Sequence, residues 1–452
     1  MQKLFGTSGI RGGLNRVSPE LALNLGLAVA TSLKNEGNVA IGHDARKSSS
    51  CLRNALASGL MAGGCKAVQF GFVPTPVLAF GTRENELHAG IIITGSHNPP
   101  SDNGLKCYAA DGREYTGNEE TVLESLILNR SYKLMAWDKV GSVISRQDIT
   151  ERYIRAVLER IKPVERSLHV VVDCANGVGS NVTPKLLSIL GCKVTTINAN
   201  IDGTFPGRPP EPTPEMLTEL ERLVPALGAD LGIAHDSDAD RISVIDEKGS
   251  YVTNDRILAF FAKILLLRHG AGRIVTSVDT SPRIDEVAQR YSGRVERTKL
   301  GKTHEALVTG EKPILCCEPW KIIDVHWGPW GDGIHAACEL VSQLSQAQGP
   351  LSELLKDIAD YPQRRIAFPC SDIVKGRAME IVQVQFATEK KVKDVWTYDG
   401  LRLNYMDGSF VLLRPSGTEP RIRLYCEARS QRKLEELVDK YTSLVRTATK
   451  TQ

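Results

Sequence analysis

The sequence of 452 residues lacks any long apolar run. Its longest apolar stretch, Ile257 to Leu267, is interrupted by Lys263 and is too short to span a bilayer. The pattern of a secretory signal peptide is also missing, because Phe5 is followed at once by the glycine-rich segment 6–13. We therefore expect no membrane partner, and the stretch from 257 to 267 predicts a buried helix.

The chain also lacks the residue patterns of disulfide scaffolds, zinc modules and nucleic-acid-binding proteins. Its 10 cysteines are scattered and contain no CxxC pair. The formal net charge is only +3, with basic and acidic residues interspersed, whereas a nucleic-acid-binding surface needs a concentrated basic face. These absences favour a cytoplasmic protein with free thiols that does not bind nucleic acid.

What the sequence does contain is a repeated alternation of short apolar runs and amphipathic stretches. This alternation predicts α/β layers with parallel or mixed sheets. From Ile366 onward the pattern changes to two strands and a terminal helix from Gln431 to about Thr447, which indicates a smaller α+β domain. We expect four domains, with boundaries at 1–150, 151–254, 255–362 and 363–452.

A serine-bearing loop follows the apolar run Ile91-Ile92-Ile93. The segment is Thr94-Gly95-Ser96-His97-Asn98-Pro99-Pro100, in which glycine permits a tight turn and the prolines stiffen the backbone. A nucleophilic serine needs such fixed presentation and neighbours that manage its proton. The alternative is an ordinary turn with a capping serine, and the spacing alone does not separate the two.

Three aspartates follow the apolar strand 231–234. In an extended or gently curved loop, Asp236, Asp238 and Asp240 point the same way, because alternate residues share a face. Converging carboxylates repel one another, and a divalent cation such as Mg²⁺ relieves that repulsion. The alternative is a solvated acidic turn. An EF-hand is excluded, since the loop lacks the central glycine and the twelfth-position glutamate.

A third loop, Arg414-Pro415-Ser416-Gly417-Thr418-Glu419-Pro420-Arg421, follows the apolar run 410–413. Backbone N–H groups, the Ser416 and Thr418 hydroxyls and a flanking arginine can surround a phosphate, although a structural turn is equally compatible with the pattern. Arg11 in the glycine-rich N-terminal segment is a second candidate phosphate ligand. Glu318 follows another strand and is a candidate acceptor for sugar hydroxyls.

Taken together and in this order, these segments resemble those of the α-D-phosphohexomutase family. That family includes phosphoglucomutase, phosphomannomutase and phosphoglucosamine mutase, and the sequence is most similar in style to its archaeal members. The resemblance covers nearly the whole chain. It implies an α/β fold of four domains around a central cleft, in which three related mixed-sheet units carry the phosphoserine, metal-binding and sugar-binding loops. A C-terminal α+β domain would carry the phosphate-binding loop.

The resemblance also implies an activity. A phosphohexomutase transfers a phosphoryl group reversibly between the 1- and 6-positions of a hexose or hexosamine phosphate, through a phosphoserine and a bisphosphate intermediate. The implied cofactor is Mg²⁺, and the implied partners are a sugar-phosphate substrate and a hexose bisphosphate activator. The expected assembly is a monomer or a homodimer.

The same resemblance assigns roles to individual residues. Ser96 matches the phosphoserine and supplies a metal-ligating oxygen together with Asp236, Asp238 and Asp240. The further catalytic residues are Arg11, Lys106 and His97. The implied substrate-binding residues are Glu318, Lys321, Arg241, Arg414, Ser416, Gly417, Thr418 and Arg423.

The sugar-binding segment departs from the family pattern. The family usually places serine two positions after its glutamate and then glycine, whereas this chain has Trp320 and Lys321. Two alternatives to a mutase therefore stay open. One is a sugar-phosphate phosphatase that uses the same serine and metal, and the other is a non-catalytic sugar-phosphate-binding protein with an altered sugar loop.

Overall fold

A computed structural model describes residues 3–417 and 420–450 of the protein. Four β-sheets follow one another along the chain. Within the described ranges, no helix combines the length and the apolar character that a membrane span requires. All ten cysteines are free thiols, and every one except Cys51 is buried.

The first domain is a six-stranded sheet with helices on its faces. Its strands are β1 (Ile10–Gly13), β2 (Asn38–His43), β3 (Lys66–Phe72), β4 (Ala89–Ile93), β5 (Asp102–Ala109) and β6 (Val143–Ser145). Its helices are α1 (Pro19–Ser32), α2 (Ser49–Ala62), α3 (Thr75–Glu84) and α4 (Gly117–Leu128), and α5 (Ile149–Arg160) follows β6. The strand order is β1-β5-β4-β2-β3-β6.

The second domain contains a five-stranded sheet. Its strands are β7 (His169–Asp173), β8 (Lys193–Ile197), β9 (Leu231–Ala234), β10 (Ser243–Ile245) and β11 (Tyr251–Val252), and its helices are α6 (Thr183–Ile189) and α7 (Thr218–Ala226). The strand order is β11-β10-β9-β7-β8.

The third domain contains a four-stranded sheet. Its strands are β12 (Arg273–Ser277), β13 (Arg294–Thr298), β14 (Leu315–Glu318) and β15 (Lys321–Asp324). The strand order is β13-β12-β14-β15. Its helices are α8 (Asn254–His269), α9 (Arg283–Arg290), α10 (Gly333–Gln346) and α11 (Leu351–Leu354). Helix α8 contains the predicted buried stretch, and 11 of its side chains, from Asn254 to Leu266, are buried. Short 3₁₀ helices lie at Trp137–Lys139, Val178–Asn181, Pro214–Met216 and Thr303–Leu307.

The fourth domain has a different, wholly antiparallel sheet. Its elements are β16 (Gln363–Pro369), α12 (Asp372–Phe386), β17 (Val392–Trp396), β18 (Leu401–Tyr405), β19 (Phe410–Pro415), β20 (Arg421–Glu427) and α13 (Gln431–Lys450). The predicted terminal helix is therefore present. Helix α12 and the additional strands were not predicted. The hydrophobic residues of α12 are spread around the helix, so the sequence carries little amphipathic signal there.

The first three domains share one topology. In each, one inner strand (β2, β7 or β12) is parallel to both of its neighbours in the sheet. The later of those neighbours in the chain (β4, β9 or β14) pairs with the antiparallel strand that follows it. The serine loop joins β4 to β5, the aspartate loop joins β9 to β10, and the segment around Trp320 joins β14 to β15. These three loops are thus the same connection in three related units, which confirms the predicted fold class. The domain boundaries themselves stay predictions.

Candidate active site

The serine loop and the aspartate loop meet at one point between the first two domains. Ser96 is fully buried, and its Oγ donates a hydrogen bond to Asp236 Oδ2 at 2.7 Å. The Ser237 hydroxyl donates back to the Ser96 carbonyl oxygen, also at 2.7 Å. The two loops, predicted separately, therefore form a single site.

Each of the three equivalent loops contains a non-glycine residue in the left-handed region of backbone conformation. These residues are Ser96 (φ +50°), Ala239 (φ +55°) and Trp320 (φ +70°). Such conformations carry strain of about 1–3 kcal/mol each and persist only where the surroundings enforce them. Their recurrence in all three loops indicates that this end of the three sheets is a functional region.

The three aspartates converge as predicted, but the backbone differs from the predicted one. The loop is a turn with Ala239 in the left-handed region, not an extended segment. One carboxylate oxygen from each of Asp236, Asp238 and Asp240 lies within 4.8 Å of the others, and all three residues are buried. A turn brings successive side chains together more closely than an extended strand, in which alternate residues are about 6.6 Å apart.

The residues of this triad fit a divalent metal ion. Among the described residues, the Oδ1 atoms of Asp236, Asp238 and Asp240 are buried and have no hydrogen-bond partner. A buried carboxylate oxygen without a donor is costly unless a cation contacts it, and Mg²⁺ prefers oxygen ligands of this kind. Burial, and after it the neighbouring Asp238 and Asp240, raises the pKa of Asp236 well above its ordinary value.

Lys106 compensates part of this negative charge. Its Nζ lies 3.1 Å from Oδ2 of both Asp238 and Asp240, and the side chain is buried. Burial acts against the charged ammonium, but the two carboxylates outweigh it and raise the pKa of Lys106. Lys106 therefore stays charged against two of the three aspartates.

Arg11 and His97 lie on the same side of the serine. Arg11 is on β1, its Nη1 is 3.4 Å from His97 Nδ1, and His97 Nδ1 is 3.5 Å from Ser96 Oγ. Burial, followed by the charges of Arg241, Arg11, Lys106 and Arg423, lowers the pKa of His97 well below its ordinary value. His97 is therefore neutral at pH 7, because burial and four cationic side chains act against its protonation.

The segment between β14 and β15 forms another side of the site. The Glu318 carboxylate accepts hydrogen bonds from Gly301 N at 3.0 Å and from the Thr303 hydroxyl at 2.7 Å, so it orders a neighbouring loop of the same domain. A backbone hydrogen bond from Ile242 to the Trp320 carbonyl joins this segment to the aspartate loop. Arg241, 3.8 Å from Asp236, lies beneath the Trp320 ring.

Lys321 reaches from the third domain to the first. Its Nζ donates to Glu114 Oε2 at 2.9 Å, and the other oxygen of Glu114 accepts a hydrogen bond from the Ser8 hydroxyl. Burial opposes both charges, yet the pairing raises the pKa of Lys321 and lowers that of Glu114. The pair is thus a buried ion pair that joins the third domain to the first.

The structure describes part of the predicted phosphate-binding loop of the fourth domain. Arg414 and Arg423 are opposite each other on β19 and β20, and Arg414 is anchored to Asp399 at 2.9 Å. Ser416 is buried, and its backbone N–H donates to the carbonyl of Arg421. Gly417 is exposed, and Thr418 lies outside the described residues. The charge of Arg423 is one of those that lower the pKa of His97.

Three residues of the site were not identified from the sequence. Glu114 pairs with Lys321, Arg46 contacts the serine loop, and Thr75 donates from its hydroxyl to Asp238. Glu114 and Thr75 belong to the first domain but contact residues of the third and second. The sequence shows no signal for these contacts, since each partner lies more than 160 positions away.

Comparisons with known proteins agree with this geometry. Models of the phosphoglucomutase/phosphomannomutase family match the chain as alpha/beta/alpha domain I (residues 2–133), domain II (151–249), domain III (253–361) and the C-terminal domain (366–443). A phosphopentomutase of Thermococcus kodakarensis is 44% identical over 448 residues, which is 98% of each chain. A probable phosphoglucosamine mutase of Methanothermobacter thermautotrophicus is 42% identical over 437 residues, covering 95% of each chain.

The solved structures agree as well. A phosphoglucomutase/phosphomannomutase family protein of Burkholderia thailandensis superposes with a TM-score of 0.86 at 27% identity, over 100% of this chain and 98% of the other. The matches cover all four domains, and the relatives are mutases. The chain is therefore an enzyme of the isomerase class, a phosphosugar mutase, and it belongs to the phosphoglucomutase/phosphomannomutase family.

Proposed function

We propose that the protein transfers a phosphoryl group within a sugar monophosphate, with Ser96 as the covalent carrier and a sugar bisphosphate as the intermediate. The observation that carries this proposal is the contact of Ser96 Oγ with Asp236, beside three carboxylate oxygens that lack a donor. Phosphoryl transfer asks mainly for positioning and charge neutralisation, which a serine held against a cluster of aspartates and cations can supply.

Asp236, Asp238 and Asp240, with an oxygen on Ser96, would hold Mg²⁺. When bound there, the ion would neutralise negative charge on the phosphoryl group. The unpartnered Oδ1 atoms support this assignment, since they are the oxygens that a metal would satisfy. Thr75 and Lys106 both donate to Oδ2 of Asp238 and so leave its Oδ1 for the metal.

Basic side chains of the protein would offset the remaining negative charge of the phosphoryl group. A phosphoserine carries nearly two negative charges at neutral pH. Lys106, which contacts the aspartates, and Arg11, which contacts His97, would offset that charge as the phosphoryl group moves to a sugar hydroxyl. Neutral His97, between Arg11 and Ser96, would accept and donate hydrogen bonds near the transferred group without adding charge.

The sheet of the fourth domain would bind the phosphate that does not react. Arg414, Ser416, Gly417, Thr418 and Arg423 supply the ligands, and Arg241 adds a guanidinium beside the metal site. After the first transfer the bisphosphate would turn over in the cleft, so that its other phosphate rephosphorylates Ser96. Because water would hydrolyse the phosphoserine, this cycle requires a closed cleft. A hexose bisphosphate would charge Ser96 initially.

The sugar itself is proposed to be a hexose or hexosamine phosphate, transferred between its 1- and 6-positions, since the Methanothermobacter relative is named a probable phosphoglucosamine mutase. Glu318 and Lys321 would contact its hydroxyls. A pentose phosphate is a second candidate, and two observations favour it. The Thermococcus relative is named a phosphopentomutase, and Trp320 and Lys321 are bulkier than the serine and glycine that the family usually has at these positions. With its free thiols and ionised substrate, the enzyme is proposed to act in the cytoplasm.

A phosphorus NMR panel tests the proposal. Glucose, mannose, glucosamine, N-acetylglucosamine and ribose monophosphates would each be offered with Mg²⁺ and glucose 1,6-bisphosphate. A mutase converts one phosphate ester into the other until both reach a fixed ratio, and no inorganic phosphate accumulates. Inorganic phosphate that rises in step with substrate loss would indicate a phosphatase instead. Binding without conversion of any sugar would indicate a non-catalytic binding protein.

A further inference from the structure

Arg46 is a buried arginine that contacts the serine loop at several points. Its side chain is fully shielded from solvent, and Nη2 donates to the carbonyl oxygens of Ser96 and Asn98, both at 2.7 Å. Nη1 donates to the carbonyls of Pro99 and Asp102, the latter at 2.8 Å. One guanidinium thus binds four carbonyl groups along the loop that carries Ser96.

Asp44 orients this guanidinium and also contacts the loop directly. Its Oδ2 accepts from Arg46 Nε at 3.0 Å and from the Thr94 hydroxyl at 2.8 Å. The Thr94 hydroxyl oxygen in turn accepts from the backbone N–H of Ser96 at 2.8 Å. The Asp44–Arg46 pair therefore restrains the serine backbone from both its N–H and its carbonyl side.

The second domain contains a matching pair. Arg208 is buried, and its Nε donates to Asp173 Oδ2 while its Nη2 donates to the carbonyl of His235, both at 2.7 Å. Asp173 ends β7, just as Asp44 follows β2, the equivalent strand of the first domain. His235 immediately precedes Asp236. In both domains, therefore, a buried aspartate at the end of the equivalent strand, β2 or β7, binds an arginine that contacts the serine loop or the aspartate loop.

The second domain also covers the first pair. The Phe205 ring lies 4.9 Å from the Arg46 guanidinium carbon. A Cβ on Gly203 would lie 2.1 Å from the carbonyl oxygen of Ala45, so the backbone of the second domain presses directly on the Asp44–Arg46 turn. Movement of the serine loop would therefore require separation of the two domains.

We propose that Arg46 and Arg208 are positioning residues of the active site, an inference that rests on the function proposed above. Arg46 holds Ser96 in its strained left-handed conformation with Oγ aimed at Asp236. Arg208 fixes the start of the aspartate loop so that Asp236 meets it. Arginine is required at both positions, because only a planar guanidinium has five donors spread widely enough to bind a carboxylate and several carbonyls at once.

The experiment compares the wild type with R46K, R208K and the control R130K, in which Arg130 is an exposed residue of the first domain. Two quantities are measured: the rate at which glucose 1,6-bisphosphate with Mg²⁺ phosphorylates the protein, and the affinity of the unphosphorylated protein for Mn²⁺ by electron paramagnetic resonance. Because misplacement of a reacting group by about 1 Å costs about 10²-fold in rate, R46K should be phosphorylated about 10²-fold more slowly. Its Mn²⁺ affinity should stay within about twofold of the wild type, since the aspartates are unchanged.

R208K should show the complementary defect. Loss of a residue that orients metal ligands typically lowers metal affinity by about 10–100-fold, so its Mn²⁺ dissociation constant should rise at least about 10-fold. The control should match the wild type in both quantities. Phosphorylation of R46K within about threefold of the wild type, or equal losses of Mn²⁺ affinity in R46K and R208K, would overturn the proposal, because a general loss of stability would affect both variants alike.

Hydrogen exchange supplies a measurement that needs no turnover. In the wild type, amides of residues 94–102 should exchange slowly, and R46K should speed their exchange at least about tenfold without changing the rest of the first domain. Fast exchange of this segment in the wild type would contradict the inference even if R46K failed to fold. A wild type that takes no phosphoryl group would contradict the proposed function, while Mn²⁺ binding and exchange would still test the two arginines.

Discussion

Ser96 Oγ lies 2.7 Å from Asp236 Oδ2, although 140 positions separate the two residues in the chain. The contact exists because the first two domains have the same topology and face each other with the same loop. The first domain supplies a strained serine, and the second supplies three carboxylates that each have one oxygen without a hydrogen-bond donor. The site is therefore a property of the domain interface, and changes on either side of it have separable effects.

Lys106 offers a test of the charge balance in this interface. Replacement of Lys106 by Gln leaves Asp238 and Asp240 buried without their ammonium partner, and removal of one partner from a buried ion pair costs about 3–5 kcal/mol. The thermal midpoint of K106Q should fall in the absence of metal, and Mg²⁺ should restore more stability to K106Q than it adds to the wild type. Differential scanning fluorimetry with and without Mg²⁺ measures both effects.

The matched control for Lys106 is Lys66→Gln, which removes an exposed lysine from the same domain. Its thermal midpoint, with and without Mg²⁺, should match that of the wild type. An unchanged thermal midpoint in K106Q would show that the lysine does not balance the aspartates.

Trp320 is expected to determine which sugar fits. Replacement of Trp320 by Ser removes the ring that lies over Arg241 and opens the sugar-binding segment. We expect the ratio of kcat/KM for glucosamine phosphate to that for ribose phosphate to rise about 10–100-fold, the range that one pocket contact supplies. Steady-state kinetics with both substrates measures the ratio, and Trp137→Ser, at a fully exposed site, is the control. A ratio that stays within twofold of the wild-type value would show that Trp320 does not determine the sugar specificity.

The sequence predicted most of the fold and the identity of the chemical groups, and the limits of that prediction are physical. Strand β9 matches the predicted run 231–234 residue for residue, and β4 contains the predicted run 91–93, because both are short apolar segments followed by a loop. The aspartates could be recognised from their spacing, although a turn and not an extended backbone brings them together. By contrast, Arg46 and Glu114 carry no local signal, since their roles arise only when distant loops meet.

His335 should give the fold a defined pH dependence. It lies in α10, stacked at 4.9 Å on Trp327, and burial together with Arg160 and Arg268 lowers its pKa to about 3. In the unfolded chain its pKa is about 6.5, so between these values the unfolded state binds a proton that the folded state does not. Stability from this residue is therefore complete above about pH 6.5 and falls as the pH decreases, by about 2 kcal/mol at pH 5.

The variant His335→Phe keeps a stacked ring without a titratable group. Its thermal midpoint should fall less than that of the wild type when the pH is lowered from about 7 to about 5, as scanning calorimetry would show. Identical decreases in both proteins would mean that His335 is protonated in the folded state and that its burial is less complete than described.

The most direct test of the central claim is the intact mass of the protein after treatment with glucose 1,6-bisphosphate and Mg²⁺. If Ser96 is the covalent carrier, the protein should gain one phosphoryl group, which fragmentation of the protein should locate on Ser96. This group should be lost when a sugar monophosphate acceptor is supplied. Ser96→Ala should gain no mass and should lose mutase activity. A wild-type protein that interconverts sugar phosphates without ever carrying a phosphoryl group, or that carries it equally in Ser96→Ala, would contradict the account.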